Sequence, residues 1–544
     1  MNSFKESHYT ATITTPIILS VLLLTLVLAL CSDNTKIVYG LVSDSARNNL
    51  IISNPKILDP NPGLIDAQGK LKNDIPLIAN TNSVRLGTIA DGLSKLLLVI
   101  DSNKTLQFSI DGTTRDNLIN GTLNSLKLSN EIRPPSSSVT VQPQSILKNR
   151  NVVVAVYTPP DHIDLQGNAN HTTIHILVNG TSDPKLSIDL YRVPVVLVHG
   201  IWVNSSLTWK LTNFNNTLYN NGFNYTFADY GKHNATTFDP YANITIGKYH
   251  VEAGNYGIEA IRDKIYGVLK DYHHKSIAAS QVDIIAHSMG GLMARGFTQQ
   301  SDYYNKSNYM KGYIHRMITI GTPHFGAPLS EFLFFHRNDQ YCFNPYTNKI
   351  VQSAFCLFDP LHFQLFPLKT IYAEKLIPKL HSSIDKGGIE ALSPRSVAYS
   401  DLCQTNVSSY AIAGSWKSNG VFSRDTIEDL YKIILGNPFF NLERDGFHGD
   451  NDLQVNITSQ LGGIHGHLMP QSMMTNNHTM PNGAAIYNNT IHGSIFRDKH
   501  DLFVSSEIGS AIIQQDVVRL LNSPDNKFAN SIGIGSPCHK PEKL

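Results

Sequence analysis

Charge is scarce in this sequence. Asp, Glu, Lys and Arg supply 16% of its 544 residues, where about a quarter is usual. Something other than ionised side chains must keep the surface wet. Lys and Arg number 44 against 43 Asp and Glu, a formal charge of +1. That balance leaves no whole-chain electrostatic case for nucleic acid. Cysteine is rare too, at five residues, and none stands in a C-x-x-C spacing, which argues against a cysteine-built zinc site. No internal repeat is visible. Hydrophobic residues still reach 41%, which excludes wholesale disorder. The length calls for two or three domains at about 100–200 residues each.

The amino-terminal apolar run, residues 17–30 (IILSVLLLTLVLAL), follows a short head containing Lys5. It is shorter than the ~20 residues that comfortably span a bilayer and suits a signal-peptide core. Counted from Ile13 it lengthens to 18 residues with Thr14, Thr15 and Pro16 inside it, so residues 1–31 are read as a signal peptide or membrane anchor. Leu30 stands before Cys31 where a lipidation signal needs a small residue. Export predicts glycan acceptors, and 14 Asn-x-Ser/Thr sequons run from Asn103 to Asn488, roughly double the chance number. Outside the cell, cysteines usually pair. Proximity favours Cys342 with Cys356, leaving Cys403 with Cys538.

Residues 32–85, rich in Asn, Asp, Pro and Ser, read as a linker or loosely ordered lead. Short β-type runs follow at residues 95–100, 106–110, 152–157, 174–178 and 186–190, broken by Asp111-Gly112, Asn120-Gly121 and Asn179-Gly180. They predict a small all-β, sandwich-like module over 86–190, a spacer or packing unit with carbohydrate binding as the alternative. At Arg192 the texture changes. Residues 193–198, 282–286 and 317–320 are continuous β-rich apolar runs, as in strands buried on both faces. Between the first two, residues 257–272 carry Ile258, Ile261, Ile265, Val268 and Leu269 at helical spacing. Alternating strand and helix predicts an α/β sheet.

The most informative stretch is residues 282–295, VDIIAHSMGGLMAR. A buried strand ends at Ala286, Ser288 sits on a tight turn, and a helix begins at once. Such a turn strains its central residue and lifts the hydroxyl clear of the sheet. Small neighbours are required because strand and helix backbones nearly touch there. The usual pattern is G-x-S-x-G. Ala286 replaces the first glycine, while Gly290 and Gly291 keep the second side open.

On these residues the chain resembles an α/β-hydrolase of the lipase and esterase branch over about 191–525. Three further motifs carry the resemblance in the family's order. They are the H-G turn in VHGIW at 198–202, the segment ITIGTPHFGAP at 318–328, and the acid loop NDLQVNITSQ at 451–460. Leu453 departs from the glycine that usually follows the acid. The resemblance implies a mostly parallel sheet with helices on both faces and the chain order Ser, Asp, His.

The chemistry needs a nucleophile, a base, an orienting acid and oxyanion donors. Ser288 is the expected nucleophile. The N–H groups of Met289, directly after it, and of Ile201, after His199-Gly200, are the expected oxyanion hole. Asp452 matches the family's acid, with Leu453, Val455 and Ile457 alternating like a strand or its entry; Asp450 is the alternative. Of 22 histidines, His492 lies where the family places its base, before a terminal helix striped by Ile508, Ile512, Ile513, Val517 and Leu521. His500, His465, His467 and His478 remain alternatives. No metal or other cofactor is expected; His448, His465, His467 and Asp450 form the rival metal reading.

Residues 327–400 interrupt the pattern with the aromatic clusters EFLFFH at 331–336 and LHFQLF at 361–366. They predict a lid or cap beside the serine, suited to an acyl group. Residues 526–544 form a C-terminal tail. The expectation is a secreted or cell-surface serine hydrolase of carboxylic esters, with a lipid or acyl-ester substrate, possible membrane-surface association and no nucleic acid partner. The alternatives are an acyltransferase, thioesterase or GPI-inositol-deacylase-like enzyme, and a cell-surface binding protein with a vestigial hydrolase domain.

Overall fold

The structure is a computed structural model, and it describes residues 53–112, 120–126, 136–147, 150–201, 203–231, 245–246, 249–250, 255–335, 391–396, 402–415, 441, 450–452, 454–469, 478–488, 490–492 and 505–533. The apolar amino-terminal segment, most of the expected lid and most of the C-terminal tail lie outside these residues. So does the cysteine pairing, since Cys403 alone is described. Among the described residues no helix is long and apolar enough to cross a membrane.

A seven-stranded sheet organises the chain beyond Arg192. In spatial order its strands are Tyr225–Ala228, Val195–Val198, Val282–His287, Ile314–Ile320, Ser408–Ser415, Ala484–Asn488 and His467–Leu468. Every neighbouring pair is parallel. The three apolar runs legible in the sequence are central strands, and every residue of them is buried.

Their side chains alternate between two cores. Val196, Val198, Ile284, Ala286 and Met317 face helix Asn255–His274, which contributes Ile258, Ile261, Ile265 and Leu269, and helix Met289–Phe297. Val195, Leu197, Ile285, Ile318 and Ile320 face helix Ala511–Leu521, through Ile513, Val517, Leu520 and Leu521. Each fully buried Val, Leu, Ile or Met among them contributes roughly 1.5–3 kcal/mol relative to exposure. The continuous apolar runs therefore require helices on both faces, and this is the α/β fold.

The β-rich region before Arg192 contains two sheets. One pairs Ser53–Leu58, Leu96–Asp101, Arg150–Thr158 and Thr122–Ser125, with Gln144–Leu147 also on Arg150–Thr158. The other orders Ile277–Ala278, Gly87–Ile89, Thr181–Tyr191, His171–Val178, Leu106–Ile110 and Ser138–Val141. Leu96, Leu98, Ile100, Val153 and Tyr157 of the first share a core with Phe108, Ile174, Ile176, Ile188 and Leu190 of the second.

Two boundaries differ from expectation. Residues 53–85, expected as linker or loosely ordered lead, instead supply strand Ser53–Leu58 and helix Ile75–Ala79. Their Leu58, Leu64, Ile65 and Ile78 cover Leu97, Val99, Val152, Val154 and Val156 on the outer face of the first sheet. These residues follow no helical or strand period, so the sequence gives no sign that they pack. The β-rich region is also not a detached module. Strand Ile277–Ala278, just before the serine strand, pairs with Gly87–Ile89, and the described residues fall in one compact unit.

Candidate active site

The strand Val282–His287 delivers Ser288 to the carboxyl end of the sheet, where helix Met289–Phe297 begins. Ser288 holds φ +54°, ψ −132°, a region that L side chains visit only under constraint from their surroundings. Its N–H donates to the Ile320 carbonyl at 2.9 Å, which ties the turn to the adjacent strand. The tight approach inferred from small residues is present. A Cβ on Gly290 would lie 2.6 Å from the His199 carbonyl oxygen, and one on Gly200 would lie 2.7 Å from Ser288 Cβ.

His492 and Asp452 arrive from different loops and meet Ser288. Asp452 Oδ1 accepts from the N–H groups of Gln454 and Val455 at 2.9 and 2.7 Å. Its Oδ2 accepts from His492 Nδ1 at 2.7 Å. With that ring nitrogen protonated, Nε2 is left to accept from the Ser288 hydroxyl at 2.8 Å. The His492 N–H donates to the Asp452 carbonyl at 3.1 Å, fixing one loop to the other. All three side chains are buried, Asp452 completely.

Asp452 does not enter a strand. The alternation of Leu453, Val455 and Ile457 is overridden by the aspartate's own acceptor bonds, and the chain turns into the short helix Ile457–Leu461. Gln460, fully buried, holds this loop in place. Its amide donates to the Val455 and Gly414 carbonyls and accepts from the Gly414 N–H.

Directly after Ser288, Met289 is the first helical residue, so its N–H has no intrahelical acceptor. Ile201 follows Gly200 in the turn beyond strand Val195–Val198, next to the serine. His199 anchors that turn. Its Nδ1 donates to the Gly200 carbonyl at 2.9 Å, and its Nε2 accepts from the Tyr230 N–H at 3.2 Å. Its ring stacks on Tyr230 at 4.1 Å.

Of the alternatives, Asp450 is exposed, as are His465 and His467, whose rings meet edge to face 5.0 Å apart. His478 pairs with Asp516 of helix Ala511–Leu521 at 2.9 Å. His448 and His500 lie outside the described residues. Two residues the sequence did not single out sit against His492. His287 Nε2 donates to the His492 carbonyl at 2.9 Å, and burial, followed by the neighbouring His492, pushes its imidazole down to about 3. Glu507, fully buried, places Oε2 3.6 Å from His492 Nδ1. His287, His492 and Glu507 bring potential ligand atoms within 4.8 Å of one another. The ring nitrogens nearest Glu507 are already engaged in hydrogen bonds, so the set reads as a hydrogen-bonded cluster.

The two-sided parallel sheet and the serine turn at its carboxyl edge make the arrangement of an α/β-hydrolase fold. More particularly, residues 189–358 match the family described as PGAP1-like alpha/beta domain. That stretch contains His199, Gly200, Ile201, Ser288, Met289 and Gly290 and ends before Asp452 and His492. No curated protein matches the chain. Similar solved structures include the mature form of the Bacillus licheniformis lipase BlEst2, at 14% identity over 49% of this chain and 79% of that one, TM-score 0.26. The Staphylococcus hyicus lipase is 16% identical over 60% of this chain and 95% of its own, TM-score 0.33. Lipase 1 from Pelosinus fermentans is 16% identical over 61% and 99%, TM-score 0.29.

Proposed function

We propose that this protein is an exported serine hydrolase that cleaves carboxylic esters of lipid or fatty-acyl type. The observation that carries the reading is the buried relay Ser288–His492–Asp452, at 2.8 and 2.7 Å. In this reading Ser288 Oγ attacks the acyl carbon while His492 Nε2 takes its proton. The Met289 and Ile201 N–H groups hold the oxyanion, each such donor typically contributing about 100–1,000-fold in rate. Collapse of the tetrahedral species breaks the ester C–O bond, and His492 returns the proton to the leaving alcohol. Water, deprotonated by the same imidazole, then attacks the acyl-enzyme and releases the acid. Export rests on the apolar segment at residues 17–30 and the 14 sequons.

The test is hydrolysis of p-nitrophenyl acyl esters of several chain lengths by the wild type and by Ser288→Ala. Activity confined to the wild type is the expected result; equal activity in both sinks the nucleophile.

A second reading on the same residues is a GPI-inositol-deacylase-like enzyme, with which the match of residues 189–358 is compatible. Preference for an acylated inositol over simple esters separates it. A vestigial domain in a binding protein is the third, and labelling of Ser288 by a fluorophosphonate probe would end it.

A further inference from the structure

We propose that Glu507 is a positioning residue, a carboxylic acid kept un-ionised behind the base, whose hydroxyl donates a hydrogen bond to the Asp452 carboxylate. The inference rests on the reading of Ser288, His492 and Asp452 as a hydrolytic relay.

Glu507 sits in a place built for it. Its N–H donates to the Ile491 carbonyl at 2.9 Å, which fastens it to the residue before the base. Oε1 accepts from the Gly414 N–H at 2.8 Å, at the end of strand Ser408–Ser415. The carboxyl occupies space that only glycines leave open. A Cβ on Gly321 would fall 1.9 Å from Oε2, and one on Gly414 would fall 2.4 Å from Oε1.

Oε2 is the informative atom. It is fully buried and, among the described residues, accepts no hydrogen bond. His492 Nδ1 stands 3.6 Å and His287 Nε2 3.9 Å away, yet each gives its hydrogen elsewhere, to Asp452 and to the His492 carbonyl. A buried anionic oxygen without a donor is costly. Written as O–H, the same atom becomes a donor, and the Asp452 carboxylate lies within hydrogen-bonding reach of the Glu507 side chain.

Two buried carboxyls in contact do not both ionise. Their surroundings decide which keeps the proton. Asp452 receives three hydrogen bonds, from Gln454, Val455 and His492. Glu507 receives one. Burial, and next the Asp452 charge, hold its carboxyl well above the ordinary range. Among the described residues, the titratable groups facing Glu507 are Asp452, His492 and His287, and none brings it a positive partner. The Glu507 hydroxyl thus fixes the orientation of Asp452 and shares its charge, leaving a single negative group behind the imidazole.

The test uses the full-length protein. Glu507→Gln reproduces the neutral acid, since its amide N–H can donate to Asp452 while its oxygen accepts from Gly414. Glu507→Leu keeps the bulk and removes the donor. With a p-nitrophenyl acyl ester, Glu507→Gln is expected to hold kcat within about threefold of wild type. Glu507→Leu is expected to lose tenfold or more in kcat, on the order of one lost buried donor, at little change in KM. Infrared spectra near pH 7 are expected to show a protonated carboxyl band that Glu507→Gln lacks. Equal damage in the Gln and Leu variants, or no band lost in Glu507→Gln, overturns the proposal. The infrared comparison does not depend on activity, and repeating it in a Ser288→Ala background separates this proposal from the hydrolase reading. If Glu507→Leu does not fold, the Gln variant and the infrared band still decide.

Discussion

His287 and His492, two imidazoles with ring centroids 5.1 Å apart, are joined by a hydrogen bond from His287 Nε2 to the His492 main-chain carbonyl at 2.9 Å. The residue beside the serine therefore holds the backbone of His492, and it does so as a neutral ring.

The neutrality of His287 has a stability consequence with a definite sign. Its folded value, about 3, lies below the ordinary 6.5 of an unfolded histidine. Below that ordinary value the unfolded chain binds a proton that the folded protein refuses. The stability it contributes is thus present above about pH 6.5 and is lost as pH falls toward 3, with a slope of at most about 1.4 kcal/mol per pH unit. His287→Gln keeps an amide donor for the His492 carbonyl and does not titrate. Denaturant melts from pH 7 to 4 should show the gap between variant and wild type narrowing or reversing as acid is added. Parallel curves refute the assignment.

Asp452→Asn tests the orientation of His492. The two main-chain donors from Gln454 and Val455 hold Oδ1, so the asparagine would keep its oxygen there and turn its amide toward His492. That amide donates to Nδ1 and moves the imidazole proton to Nε2, which can then no longer accept from Ser288. A loss in kcat of about 10⁴-fold is expected, with KM little changed. A variant retaining a tenth of the wild-type rate would remove Asp452 from its role.

The serine turn was legible because several constraints fall on adjacent residues. A continuous apolar run must be an interior strand, and small residues after it are needed only where a helix turns back onto that strand. Asp452 and His492 were legible only through their order and spacing in a resembled family. The strand expected after Asp452 failed because its side-chain acceptor bonds outweighed the period-2 pattern. Glu507 carried no signal at all. It is one carboxylate in Ser505-Ser506-Glu507-Ile508, and its significance arises from Gly321, Gly414 and Asp452, all distant in sequence. Residues 53–85 depart from the expected linker for a related reason, since their apolar side chains cover a sheet without following any period.

Strain at Ser288 can be measured apart from chemistry. Ser288→Ala and Ser288→Gly both remove the hydroxyl and its bond to His492, but only glycine accepts φ +54°, ψ −132° without cost. A strained non-glycine conformation typically costs about 1–3 kcal/mol. Glycine's greater freedom in the unfolded chain offsets about 0.5–1 kcal/mol of that. Ser288→Gly should therefore be more stable than Ser288→Ala by roughly 1 kcal/mol in chemical denaturation, with both inactive. If alanine is the more stable of the two, the turn stores no strain.

Gly200 tests the other wall of the site. A Cβ there would stand 2.7 Å from Ser288 Cβ and 3.2 Å from its Oγ, closer than packed carbon atoms approach. Either the serine or the turn carrying the Ile201 N–H must move. The turn is the softer side, because strand Val282–His287 and helix Met289–Phe297 fix Ser288 from both directions. Gly200→Ala should thus displace one oxyanion donor while leaving the Ser288–His492 bond formed. That predicts a fall in kcat of about 100–1,000-fold, with fluorophosphonate labelling slowed in parallel because phosphonylation uses the same donors. Thermal stability should fall by only about 1–3 kcal/mol, the usual cost of overpacking. Full labelling and wild-type turnover in a folded Gly200→Ala protein would place the oxyanion hole elsewhere.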